Sequence, residues 1–237
     1  MFVIMNEPHN IMHSVLRNND VIRAFRPIAA VVLALLVGAC GAVQPVRVLP
    51  KGETLMTASL GGAVGVSASP LGFVPYAVVG AAHGVSNDVT VHGNVHAVMA
   101  AFGVIGLDAG ASYRVVHQRD WIPEVTAAAR GIFFAKPNES YGAMRLYPDL
   151  AATLSWDLGQ QRIGYIGTHA TAQLSNGQMF FSPMVGLVAA VNDAWSVQLE
   201  TIWQAANVNT QQGIFEGESS IGGNGSLGVF IGAQVKL

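Results

Sequence analysis

From residue 54 to its end, the chain repeats one pattern: apolar and polar side chains alternate with period two, as they do on strands with one greasy and one wet face. The last segment shows it best, with Leu227, Val229, Ile231, Ala233, Val235 and Leu237 on one side and Gly228, Phe230, Gly232, Gln234 and Lys236 on the other. Upstream, Trp195, Val197, Leu199, Thr201, Trp203 and Ala205 oppose Ser196, Gln198, Glu200, Ile202 and Gln204. Residues 149–158 set Leu150, Ala152, Leu154, Trp156 and Leu158 against Asp149, Ala151, Thr153, Ser155 and Asp157, and residues 89–99 set Val91, Val95 and Met99 against His92, Asn94 and His96. Looser versions cover residues 107–116, 124–134, 163–174 and 179–191. In residues 54–66 and 75–85 both faces are small or apolar, and neither is assigned a side. The pattern predicts about ten strands of roughly 10 to 13 residues each.

Turn chemistry separates these runs. Ser86-Asn87-Asp88, Gly159-Gln160-Gln161-Arg162, Ser175-Asn176-Gly177-Gln178 and Asn192-Asp193 read as tight connections. The long connections are residues 67–74, 135–148 and 207–224; residues 117–123 are intermediate and fall with the short set. If both ends of the strand array lie on one side, all three long connections fall on the other. There is no internal repeat and no sign of a second domain in this region.

Composition decides which way the faces point. Hydrophobic residues make up 51% of the 237 positions and charged residues only 11%, against about 25% in a typical soluble domain. That is too little charge to clothe a globule in water. The formal net charge of -2 also lacks the concentrated basic face that nucleic-acid binding needs, so no nucleic-acid partner is expected. On the polar faces stand scattered residues, His92, Asn94, His96, Asp108, Arg114, Glu124, Arg130, Asp157, His169, Glu200 and Gln234, among Gly, Ala, Ser and Thr. Such a face suits the interior of a narrow barrel, where acids pair with arginines, while the apolar faces suit hydrocarbon. The expected fold is all-β, a closed antiparallel up-and-down transmembrane β-barrel of about ten strands over residues 54–237, with membrane lipid as the partner. Trp195 and Tyr113, near strand ends on apolar faces, suit an interfacial aromatic belt.

An even strand count with short turns at one end and long loops at the other resembles the bacterial outer-membrane β-barrel proteins. The resemblance is one of pattern, without a specific motif, and the chain departs from it by ending in Leu237 where many members end in an aromatic residue. A soluble, lipid-tethered β-sandwich with its apolar faces packed on each other is the structural alternative.

Ahead of the strands, Arg17, Arg23 and Arg26 precede the apolar run PIAAVVLALLVGA at residues 27–39, which ends at Cys40, the only cysteine. This reads as a secretory signal peptide. The V-G-A-C-G stretch resembles a bacterial lipoprotein box, in which the cysteine is lipidated and becomes the new N-terminus; Gly41 after it resembles the pattern of lipoproteins sent to the outer membrane. A plain transmembrane anchor is the alternative. The expected layout is a signal peptide over residues 1–40 with lipidation at Cys40, a periplasmic tether over residues 41–53 holding Pro45 and Pro50, and the barrel over residues 54–237.

Catalytic and cofactor signals are weak. Two histidines four residues apart on a strand, His92 and His96, stand roughly 13 Å apart, too far to share one ion. His117, Arg119 and Asp120 form a cluster without a nucleophile and read as a solvated turn. No G-x-S-x-G elbow or phosphate loop is present, and Gly222, Gly223 and Gly225 lack a following helix. No catalytic residue, metal site or cofactor is assigned. The expected role is structural or surface-interacting, with a surface ligand or cell-envelope partner met by the loops around Tyr141 and Phe215. A narrow channel for ions or small solutes and a membrane enzyme are the alternatives.

Overall fold

A computed structural model describes residues 44–64, 76–137, 144–174, 177–209 and 223–237. Cys40, Tyr141 and Phe215, with the segments around them, lie outside the described residues. The strands are β1 (Thr54–Ala63), β2 (Tyr76–Gly84), β3 (Val89–His96), β4 (Ile105–Val116), β5 (Glu124–Ala135), β6 (Met144–Asp157), β7 (Arg162–Gln173), β8 (Gln178–Ala190), β9 (Trp195–Asn209) and β10 (Asn224–Lys236), with one short helix, α1 (Ala97–Ala101), after β3. Each strand pairs antiparallel with its sequence neighbour, and β1 pairs with β10 to close the barrel. The closing register runs from Leu55 opposite Lys236 to Ala63 opposite Gly228, so the sheet has no terminal strand; between β8 and β9 the ladder stops at Met184 opposite Ile202, and beyond it Asn207 bonds to the backbone of Phe181 and Met179.

The exposure pattern fixes the inside and the outside. Leu150, Val185 and Leu199 are 62%, 54% and 52% exposed in the middle of their strands, whereas their polar neighbours Asp149, Ser155 and Gln198 are at most 2% exposed. A sandwich with a dry apolar core would show the reverse order, so that alternative is set aside. The barrel is turned inside out relative to a water-soluble one: a transmembrane barrel with polar groups enclosed and an apolar wall presented to lipid. Trp195, Tyr113 and the 81%-exposed Trp121 gather at the end where β1 starts and β10 finishes, here called the near end. Trp156 joins them, its indole N–H donating to the Trp121 carbonyl at 3.1 Å. This is a girdle at a membrane interface. Outward-facing residues from Trp195 to Trp203 cover roughly 27 Å along β9, or about 20 Å of height at a strand tilt near 40°.

Three elements differ from the sequence reading. Residues 97–99, expected to continue β3, instead begin α1, because the Ala-rich run favours a helical turn and Met99 thereby folds against the inward-facing Tyr76 and Val78. β6 begins at Met144, inside the connection expected over residues 135–148, and Pro148 sits opposite Gly131 in the ladder with β5. Proline is tolerated there because pairing of β6 with β7 starts only at Asp149, so the missing N–H breaks no ladder. Third, residues 44–50 do not run as a free tether: Val46, Val48 and Leu49 are buried within the barrel. Leu49 packs on Leu55 and Ala82, which explains why β1 and β2 show two apolar faces. Leu55 of β1 and Ala82 of β2 meet this strap, Tyr76 and Val78 of β2 meet Met99 of α1, and β1 also turns Thr57 and Ser59 inward.

The outward orientation makes a quantitative prediction. Leu199 lies at mid-height between Trp195 and Trp203, so Leu199→Arg is expected to lower stability in lipid vesicles by about 2–4 kcal/mol. On a water-facing sheet the same change stays within about 0.5 kcal/mol. Urea unfolding followed by tryptophan fluorescence measures the difference.

Candidate functional site

The interior of the barrel holds almost all the buried polar groups, and register explains how. Residues directly opposite each other on adjacent strands share a face, so the chain Asn94–Asp108 on β3 and β4, and Arg130–Asp149–Thr171 across β5, β6 and β7, form rows along the inner wall. Asp149 is the hub of the second row. It accepts from Arg130 Nε at 2.7 Å and His169 Nδ1 at 2.9 Å through one oxygen, and from the Thr171 hydroxyl at 2.6 Å through the other. Asp108 is held in the same manner by Asn94 Nδ2 at 2.6 Å and His96 Nε2 at 2.9 Å. The Tyr76 hydroxyl is hydrogen-bonded to the opposite nitrogen of His96. The rings of Tyr76, His96, Phe134 and Tyr147 then meet edge to face in series across β2, β3, β5 and β6, with centroids 5.4, 5.2 and 6.1 Å apart.

Toward the near end, the Tyr165 hydroxyl donates to Glu200 Oε2 and accepts from Gln198 Nε2, both at 2.7 Å, and Gln234 Nε2 donates to Gln198 Oε1 at 2.7 Å. Tyr165 has room to lie against the wall only because Gly186 is opposite it on β8; a Cβ there would come within 2.3 Å of the tyrosine oxygen. Arg114 Nε approaches Glu124 Oε2 at 3.2 Å. Both atoms of the imidazole of His92 lack a hydrogen-bond partner although the residue is buried on the same inner face.

The strap enters from this end. Arg47 donates to the Ser155 hydroxyl at 2.9 Å, to the Ser155 carbonyl at 3.3 Å and to Gln118 Oε1. The Leu49 amide donates to the Thr90 hydroxyl at 2.7 Å, and the Val48 carbonyl accepts from Arg114 at 3.0 Å. Val46 packs against Tyr165 and Val188. Beneath it remains a cavity of about 30 Å³, bordered by Gln44, Thr126, Tyr165, His169, Gln198 and Glu200, large enough for a water molecule and too small for a solute. A wider vestibule of about 360 Å³ opens beside the strap, between Glu53, Gln161, Asn192, Trp195, Gln234 and Lys236.

Of the residues expected to line the lumen, His92, Asn94, His96, Asp108, Glu124, Glu200 and Gln234 are at most 7% exposed. The side chains of Arg114, Arg130 and His169 are 12–14% exposed and point inward through the contacts above. Asp157 departs from that expectation. It shares their parity but stands at the last ladder position of β6, opposite Ile163 and exposed at the near rim, where its carboxylate accepts from the Gly159 amide at 2.8 Å and caps the turn. Sequence reasoning did not single out Asp149, Tyr165, Gln198 or Arg47. Asp149 and Tyr165 carried the right parity; Arg47, flanked by Val46 and Val48, carried a short alternation whose only signal was those two valines.

The His117 cluster is a rim turn: His117 Nε2 lies 3.4 Å from Asp88 and is largely exposed, and Asp120 has a left-handed backbone with φ 49°. Among the described residues no three His, Cys, Asp or Glu side chains converge as a metal site would require.

The Asp149 hub allows a double-mutant test. Asp149→Ala strands the Arg130 guanidinium and is expected to cost about 3–5 kcal/mol, whereas the joint change Arg130→Met with Asp149→Leu recovers most of that loss. Denaturant unfolding of the unaltered protein and the two variants in the same vesicles measures it.

No protein-family model matches the chain, and no curated protein matches it in sequence. Among solved structures it is similar to an anion-selective porin from Comamonas acidovorans, at 11% identity and a TM-score of 0.35, over 74% of this chain and 52% of the porin. The chain thus spans about half the length of that protein.

Proposed function

We propose that this protein is an outer-membrane β-barrel lipoprotein with a closed lumen, which acts through its surfaces and not as an open diffusion pore. The observation that carries the reading is the filling of the interior among the described residues: the Asp149 and Asp108 networks, the aromatic series and the strap occupy it, and the cavity beneath the strap holds about 30 Å³. Membrane residence is supported by the outward apolar wall and its near-end aromatic girdle. The signal-like segment ending at Cys40 supports export and lipidation, with the near end, where β1 starts and β10 finishes, toward the periplasm. The connections at the opposite end, including those around Tyr141 and Phe215, are then the surface that meets a ligand or envelope partner.

A narrow channel is the second reading, favoured by the vestibule of about 360 Å³ at the near mouth. Planar-bilayer recording separates the two. The purified full-length protein, shown to be folded by a heat-dependent shift in gel mobility, is expected to give no stable conductance steps; regular steps would establish the channel and overturn the closed-barrel reading.

A further inference from the structure

The wall of the lumen carries an excess of carboxylates that the strap reduces. Among the described residues, the wall contributes four enclosed carboxylates, Asp108, Glu124, Asp149 and Glu200, against two arginines, Arg114 and Arg130. The third guanidinium, Arg47, is supplied by the strap. It reaches the wall at Ser155, which stands directly opposite Glu124 in the ladder between β5 and β6. In a low-dielectric enclosure an uncompensated carboxylate is costly, and Arg47, bonded to Ser155 and Gln118, lowers the excess of carboxylates over guanidiniums from two to one.

The seat of the strap is also imperfectly matched. Glu124 Oε1, Thr126 Oγ1 and Gln44 Nε2 are buried there without a hydrogen-bond partner, and each such atom weakens the closed state relative to a hydrated one. Glu124 is itself only 6% exposed. Polar contacts from strap to wall come down to Arg47, the Leu49 amide and the Val48 carbonyl, and the vestibule already brings the near mouth alongside.

We propose that residues 44–50 form a releasable strap whose Arg47 stands in for a cation, so that its withdrawal opens an acidic chamber at the near mouth that accepts small cations. This rests on the closed-lumen reading above and adds the means of opening and the sign of the ligand. Gly84 provides a handle that leaves every lumen charge in place: a Cβ there would come within 2.1 Å of the Pro50 carbonyl and 2.8 Å of the Leu49 carbonyl, lifting the strap off β2.

The test uses a thiol reporter in the full chain. Thr126→Cys, made with Cys40→Ser so that the reporter is the only thiol, is refolded in detergent micelles and folding is verified by heat-dependent gel mobility. Its modification rate is measured with a cationic reagent, 2-aminoethyl methanethiosulfonate, and an anionic one, 2-sulfonatoethyl methanethiosulfonate. With the native strap both react slowly. Adding Gly84→Val, with Arg47 kept, is expected to speed the cationic reagent at least about tenfold, since the strap's charge-assisted bonds are lost, and the anionic reagent less. If barrels with Gly84→Val do not show the mobility shift, Thr90→Ala, which removes the Leu49 anchor and leaves Arg47 in place, gives the same readout. Unchanged rates in folded barrels, or a larger gain for the anionic reagent, overturn the proposal. Conductance of the unaltered protein would instead overturn only the closed-barrel reading.

Discussion

The constraint on which everything else depends is that hydrocarbon offers no partner to a backbone N–H or C=O. A sheet can meet it only by closing, and the pairing of β1 with β10 is where this chain does so. Closure then divides the side chains without further choice: one parity meets lipid and the other is enclosed. That single division accounts for the low charge content, for the exposure of Leu150, Val185 and Leu199, and for the crowding of acids, arginines and histidines into a narrow interior.

Enclosure sets a second problem, because ionised groups withdrawn from water must be compensated by one another. The answer here is a set of cross-strand hubs, Asp149 with Arg130, His169 and Thr171, and Asp108 with Asn94 and His96. Side chains of these hubs fit where a neighbouring strand gives up its Cβ, as Gly110 does beside Arg130 and Gly80 beside Asn94, and Gly186 does the same beneath Tyr165. Small residues on the inner face are therefore part of the packing. The narrowness of the lumen and the completeness of its polar pairing are two aspects of one arrangement.

The strap ties this interior to the rest of the chain. It supplies apolar surface to the inner faces of β1 and β2 through Leu49 and a positive charge to the acidic wall through Arg47. A chain segment preceding the first strand thus completes the core of the barrel, and the state of the near mouth depends on whether that segment is seated.

Period-two alternation, scarce charge and turn residues were enough to read a closed barrel of ten strands from the sequence, because these are local signals and the bilayer rewards them strand by strand. The inward parity of Asp108, Arg130 and Glu200 was legible for the same reason. What alternation does not carry is register: Arg130 and Asp149 are separated by a connection of unmatched length, and only the ladder between β5 and β6 sets them opposite each other. Nor does it carry the end of a wall, which left Asp157 with the right parity but outside the enclosure. The inner faces of β1 and β2 were unreadable because their partners are distant pieces of chain, the strap and Met99 of α1. Those contacts exist only once the sheet has curved on itself, since closure alone brings the segment before β1 against the walls of β3, β4 and β6.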